Sequence, residues 1–211
     1  MSKIIGIDTE TAGLDAKRHG IIQIGMFIDI DGKLEDTLLV NVQPFDADIL
    51  KINDIEFEYE DIAFIDKIKP ADVIEPSGIT IRQIVGDHIM PQKALKQIIT
   101  FLDKYTEDKY KKDKKPDEKF YLMGFNLQFD MGFMAEWFRK LDFKYFGSYT
   151  NYRPLDAYHE ACFRAYQGKL DSQNLKLETL CKHYGIEIEA HNALSDILAT
   201  RQLWYRLTSR L

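Results

Sequence analysis

The sequence predicts an α/β fold: a sheet of mixed direction, its first three strands antiparallel and its later strands parallel, with helices on both faces. Three observations predict it. The opening run of extended segments contains the tight-turn pair Asp31-Gly32. An apolar segment from Phe120 to Phe125 feeds directly into a helical pattern. From there onward, apolar residues recur at helical spacing in stretches divided by polar or glycine-containing breaks.

Along the chain, Lys3-Ile4-Ile5-Gly6-Ile7-Asp8 forms the first strand, and residues 21–30 and 34–42 form the arms of a hairpin. Residues 45–91 mix acids and isoleucines with Pro70, Pro76, Pro91 and a Ser77-Gly78 turn, which reads as short helices and loops. A helix follows Pro91, its stripe of Leu95, Ile98, Ile99 and Leu102 expected to pack on the sheet. Residues 106–119 are charged and lack apolar periodicity, so a solvated connector is expected there rather than a phosphate-binding patch. The helix after Phe125 carries Asp130, Met134, Trp137 and Leu141 on one stripe. Two further stripes are Tyr158, Ala161, Cys162, Ala165 and Leu177, Leu180, Cys181, Tyr184, the second stopped by Gly185. A final helix spans about 193–209. Neither repeats nor a linker appear, so residues 1–211 read as a single domain.

A chain of 211 residues can bury a substantial core, and 45% hydrophobic with 12% aromatic residues excludes overall disorder. A net charge of −6 and a pI near 5.4 argue against a broadly basic surface that coats nucleic acid, though not against a site that takes strand ends. Cys162 and Cys181 lack the close spacing of zinc or redox motifs and read as buried free thiols, suited to a reducing compartment. No long apolar segment follows a basic start, so neither a signal peptide nor a membrane span is expected, and a cytoplasmic location follows.

Four acids depart from the usual solvated placement. Asp8 and Glu10 share a strand face if the extension continues, so two carboxylates project together from the end of an apolar strand. Asp130 and Asp196 lie on the apolar stripes of their helices, Asp196 in line with Thr200, Leu203 and Leu207. Buried ionised carboxylates without partners are unfavourable, and converging ones repel. No matching Lys or Arg stands within these segments, whereas all-oxygen ligand sets suit hard divalent ions such as Mg²⁺ or Mn²⁺.

Three segments together resemble the DEDDh group of 3′ to 5′ exonucleases, which includes polymerase proofreading subunits and has the ribonuclease-H-like fold. Ile5-Gly6-Ile7-Asp8-Thr9-Glu10-Thr11-Ala12-Gly13-Leu14 is similar to the group's Asp-x-Glu-Thr motif, with Ile21-Ile22-Gln23-Ile24-Gly25 in support. Gly124-Phe125-Asn126-Leu127-Gln128-Phe129-Asp130 is similar to Asn-x-x-x-Asp, and His191-Asn192-Ala193-Leu194-Ser195-Asp196 to His-x-Ala-x-x-Asp. A sister group places Tyr four residues before its last Asp, where this chain has Asn192, so the histidine branch fits better.

The resemblance implies a ribonuclease-H-like sheet and a single exonuclease domain with an insertion around 66–90. It implies that Asp8, Glu10, Asp130 and Asp196 hold two divalent cations, Mg²⁺ or Mn²⁺, with Asp8 touching both and His191 as the base. Such an arrangement uses one ion to acidify an attacking water and the other to stabilise the leaving oxygen. Glu10 would accept a hydrogen bond from the terminal 3′ hydroxyl. Backbone near Thr11 and the side chain of Leu14 would contact the last nucleotide, and Asn126 would orient substrate or the second motif.

Plainer roles stand beside these. Asn126 can equally cap the helix that follows, and Asp156 reads as an N-cap. His19, His88, His159 and His183 show no partner spacing. Phe125, Phe129, Phe133 and the run Tyr145-Phe146 through Tyr149 and Tyr152 can stack bases, with core packing the expected fate of most. Asn192 stands where many relatives carry Arg, and Phe125 where His is frequent. The activity implied is release of nucleoside monophosphates from single-stranded or frayed 3′ ends, DNA favoured, in proofreading or end-trimming beside a DNA polymerase. The alternatives are a 3′ exoribonuclease of the same family and a non-catalytic subunit that binds polymerase or nucleic acid.

Overall fold

The computed structural model describes residues 2–64, 68–75, 77–106, 118–144, 146–151, 153–189 and 191–208. Its strands are β1 (Lys3–Thr11), β2 (Ile21–Ile30), β3 (Lys33–Asn41), β4 (Ile49–Ile52), β5 (Ile55–Glu58), β6 (Tyr121–Gly124) and β7 (Leu155–Asp156). The helices are α1 (Ile81–Asp87), α2 (Pro91–Asp103), α3 (Leu127–Lys140), α4 (Ala157–Tyr166), α5 (Leu177–Tyr184) and α6 (Ala193–Thr208). Five strands form the main sheet in the order β3-β2-β1-β6-β7. The pairs β1·β2 and β2·β3 are antiparallel, and β6 and β7 continue parallel to β1, which is the expected mixed sheet. Asp31 and Gly32 turn β2 into β3 with φ of 52° and 85°, the twist-matched geometry of a two-residue hairpin loop.

Alternation along β1 divides its side chains between two cores. Ile5 and Ile7 pack with Phe133, Met134 and Trp137 of α3, whereas Ile4 packs with Phe27, Met123 and Ile197 of α6. These two helices therefore cover opposite faces of the sheet. The inner face of α2 is Pro91, Ala94, Ile98, Phe101 and Leu102, with Leu95 and Ile99 at its margins. Gly185 ends α5 at φ 66°, as its place in the sequence predicts. Cys181 is buried and free, while Cys162 is only half-buried because Ala161 turns inward in its place.

Two buried acids fasten the layers. Asp29, with no exposed surface, accepts hydrogen bonds from Arg201 Nε (2.7 Å), the Tyr205 hydroxyl (3.0 Å) and the Gly32 N–H (2.8 Å), tying α6 to the β2–β3 hairpin. Asp48, 1% exposed, pairs with Lys140 of α3 and accepts the Phe45 N–H at 2.9 Å.

Residues 45–91 depart from the expected helices and loops. β4 and β5 pair as an antiparallel hairpin, turned by Asn53 and Asp54 at φ 51° and 63°. Neither strand carries an apolar run, because only Leu50 and Ile52 are buried while β5 is largely exposed, and the turn lacks glycine. Beyond it, Thr80 opens α1 through a capping box with Gln83. Ile74, Ile79, Ile81 and Ile84 then pack with Leu50 and Ile52 on Ala12 and Ile22. This second cluster supports the loop that leaves β1. Most of the charged connector (107–117), together with Pro76, Tyr145, Tyr152 and Ser209, lies outside the described residues. No helix among the described residues is long and apolar enough to cross a membrane.

Candidate functional site

At the C-terminal end of β1, one oxygen from each of Asp8, Glu10 and Asp196 lies within 4.8 Å of the others. Strand alternation puts Asp8 and Glu10 on the face covered by α6. Cross-strand register then sets Asp8 opposite Gly25 and Glu10 opposite Gln23. A Cβ on Gly25 would stand 2.3 Å from the Ala193 carbonyl, so only glycine lets the α6 backbone cross this pair so closely. Gln23 Oε1 accepts the buried Ala193 N–H at 2.8 Å, and Asn192 Oδ1 caps the helix by accepting the Ser195 N–H at 3.1 Å. The first turn of α6 is thereby seated above β2, with Asp196 facing the two strand acids.

Asp130 arrives from the other side. Thr9 follows Ile5 and Ile7 onto the α3 face, where its N–H (2.9 Å) and its hydroxyl (2.8 Å) both donate to Asp130 Oδ1. Asp130 is buried there, yet near enough to Asp8 for its charge to act on it. The four acids expected from the sequence thus gather at one strand end, three in a tight group and the fourth reaching around from the opposite face.

Their protonation reflects uncompensated charge. Burial, then the charges of Asp130, Asp196 and Glu10, hold the Asp8 carboxyl well above the usual range. Burial and the charges of Asp196 and Asp130 push Glu10 up to about 7. Asp130 is raised to about 7 by burial, against the lowering effect of the Thr9 hydrogen bonds. Asp196 is raised to about 6 by burial, while the His191 backbone N–H and ring charge pull it back down. Among the described residues, Asp196 Oδ1 is buried without a hydrogen-bond partner. An all-oxygen set with raised pKa values and an orphaned buried oxygen fits a hard divalent cation, whose charge would relieve each of these costs.

His191 is exposed beside Asp196 at φ 64°. Every other described non-glycine residue at positive φ is Asn or Asp, the types that tolerate the left-handed region best, so the surrounding chain holds His191 there against a strain of order 1 kcal/mol. Thr11 is buried and its hydroxyl donates to the Gly13 carbonyl at 2.8 Å, which leaves its backbone rather than its side chain for any ligand. Leu14, next in that turn, is 77% exposed, a large apolar side chain held in water.

Asn126 is exposed and left-handed (φ 59°) at the start of α3, and its side chain makes no capping hydrogen bond. The capping acid is Asp156. It caps its own helix α4 through the Tyr158 N–H at 3.0 Å, and it also accepts the N–H groups of Asn126 and Leu127, both at 3.0 Å. That second duty, spanning two strand ends, has no local signature. Phe125 meets Tyr158 edge-on, Phe129 packs on Phe133, and Phe146 and Tyr149 are buried, so these aromatics serve packing. Sequence reasoning did not assign Thr9 or Gln23. The available signal was a polar residue amid apolar neighbours, Gln23 between Ile22 and Ile24.

A family model described as Exonuclease matches residues 5–204. No curated protein matches the chain. Solved structures similar to it include E. coli exonuclease I in complex with a dT13 oligonucleotide, at 18% identity and a TM-score of 0.69 over 100% of this chain and 42% of that one. The zinc-bound form of the E. coli exonuclease I complex with single-stranded DNA matches at 17% identity and a TM-score of 0.67, over 96% of this chain and 39% of that one. A moderately thermophilic exonuclease I from Methylocaldum szegediense matches at 17% identity and a TM-score of 0.64, over 99% and 41%. The fold is the same at these identities, and the chain spans about two fifths of the length of these proteins.

Proposed function

Since the chain belongs to the exonuclease family, we propose that it is a metal-dependent 3′ to 5′ exonuclease releasing nucleoside monophosphates from single-stranded or frayed DNA 3′ ends. Residues 1–211 act as one exonuclease domain, with residues 66–90 as its insertion. One observation carries the reading: three carboxylates converge within 4.8 Å at a strand end, with no Lys or Arg ion pair to any of them among the described residues.

Asp8, Glu10, Asp130 and Asp196 would hold two divalent cations, Mg²⁺ or Mn²⁺, which when bound offset phosphate charge and make water a better nucleophile. Thr9 fixes the Asp130 carboxylate, leaving its second oxygen for the site. A ring nitrogen of His191 takes the proton of the attacking water, and its exposed position lets it pass that proton to solvent. Glu10 accepts the terminal 3′ hydroxyl, the backbone at Thr11 meets the last nucleotide, and the exposed Leu14 wedges against its base. Asn126, exposed at the neighbouring strand end, orients the strand. DNA is favoured because two of the similar solved structures hold single-stranded DNA oligomers. Proofreading or end-trimming, beside a DNA polymerase in the cytoplasm, is the role this activity would serve.

Purified protein incubated with Mn²⁺ and 5′-labelled DNA and RNA oligomers tests the reading. A descending ladder with free mononucleotides, faster on single-stranded DNA, is expected. Preference for RNA by a wide margin would replace it with an exoribonuclease. No cleavage with Mg²⁺ or Mn²⁺ would leave a non-catalytic binding subunit.

A further inference from the structure

The geometry points to Gln23 as a positioning residue for the third motif, fixing where Asp196 and His191 stand relative to Asp8 and Glu10. This rests on the exonuclease reading for its kinetic consequence but not for its structural one.

The register supplies the argument. Gln23 and Gly25 lie on the same face of β2, one opposite each of the two strand acids. Gly25 acts by omission, clearing the path of the α6 backbone. Gln23 acts by bonding. The N–H of Ala193 opens the first turn of α6, has no acceptor within the helix, and is buried. Leaving it unsatisfied would be costly, so the helix start is drawn to the oxygen that Gln23 presents. The amide's orientation is set on both sides, because Oε1 faces this N–H while Nε2 donates to Asn41 Oδ1 at 2.8 Å. Gln23 is thus braced against β3 and does not follow α6 if the helix shifts.

The bonded N–H lies between the two groups that matter. His191 is two residues before Ala193 and Asp196 three after it, so a shift of Ala193 displaces both together. His191 enters this seat in the left-handed conformation, at φ 64°. Gln23 is itself buried, and it stands opposite Glu10 in the strand register as well as bonding α6.

Gln23→Met keeps side-chain length and removes both hydrogen bonds, while Gln23→Glu keeps the acceptor for Ala193. For Gln23→Met, the Ala193 amide is expected to exchange with solvent at least about tenfold faster. Mn²⁺ binding, followed by titration, weakens severalfold. Turnover falls on the order of tenfold to a hundredfold while KM stays within about twofold. Gln23→Glu is expected to restore Ala193 protection, while its added carboxylate opposite Glu10 keeps turnover below that of the parent. Unchanged Ala193 exchange in Gln23→Met overturns the inference, as does a fall in melting temperature with Mn²⁺ affinity and kcat intact. Should Gln23→Met not fold, Gln23→Glu decides: an exposed Ala193 amide counts against the assignment, and a protected one supports it. If the unaltered protein cleaves no nucleic acid, the exonuclease reading fails, and amide exchange with Mn²⁺ titration still judges Gln23.

Discussion

Buried and half-buried carboxylates occur in two settings in this molecule, and only one of them is the candidate site. Asp29, Asp48 and Asp156 are buried, yet each is answered: Asp29 by Arg201, Tyr205 and a backbone N–H, Asp48 by Lys140 and a backbone N–H, Asp156 by three backbone N–H groups. Asp8, Glu10 and Asp196 face chiefly one another, and each is raised above the ordinary carboxylate range. Burial alone therefore does not mark function. What marks a candidate is burial whose electrostatic cost the folded chain leaves uncompensated, a cost that a divalent cation would relieve.

Mutation separates the two settings most sharply at their centres. Asp8→Asn should lower exonuclease turnover by at least about a thousandfold while the metal-free protein melts no lower than the parent. A large drop in melting temperature would make Asp8 a structural acid like Asp29. Asp29→Asn should do the reverse, costing about 3 kcal/mol in denaturant unfolding by leaving Arg201 without its buried counter-charge, with turnover of the folded fraction little changed.

The next largest effect concerns pH. Glu10 and Asp130 titrate near 7 and Asp196 near 6 in the folded chain, above their values of about 4 when unfolded. For acids raised on folding, their favourable share of stability is complete below about pH 4 and is lost as pH climbs through 6 to 7. The metal-free melting temperature should consequently fall by roughly 5–10 °C between pH 5 and pH 8, and millimolar Mn²⁺ should flatten that slope. A melting temperature that rises over this interval would mean the acids are already neutralised within the fold. The smallest effect is expected for Asp130→Asn. The amide oxygen still accepts both Thr9 donors, so metal-free stability should change by less than about 1 kcal/mol even though turnover is abolished. Loss of several kcal/mol in chemical denaturation would show that Asp130 belongs with the partnered acids.

What could be read from the sequence follows from the range of the forces involved. The β2–β3 hairpin, α3, α5 and α6 announce themselves through periods of two or 3.6 residues, a turn pair and a glycine stop, all local signals. The acids were legible because Asp130 and Asp196 interrupt apolar stripes. The β4–β5 hairpin was not, since its strands are only four residues each, β5 is mostly exposed and acidic, and the turn lacks glycine. Neither was the fate of Asp29, which interrupts an apolar strand much as Asp196 interrupts a helix. Its counter-charge is Arg201, 172 positions away, and no pattern within β2 reports it. Asn126 fills the N-cap position without capping, because Asp156, 30 positions on, already holds the N–H groups there. Distant partners of this kind decide whether an acid is structural or reactive.

The arrival of Asp130 and Asp196 from opposite faces of the sheet has a consequence for how activity emerges during folding. Neither helical layer alone completes the constellation, so a half-assembled chain, whichever layer docks first, lacks part of the candidate site. On the proposed function, hydrolytic competence would appear only once both helical layers have docked on the sheet.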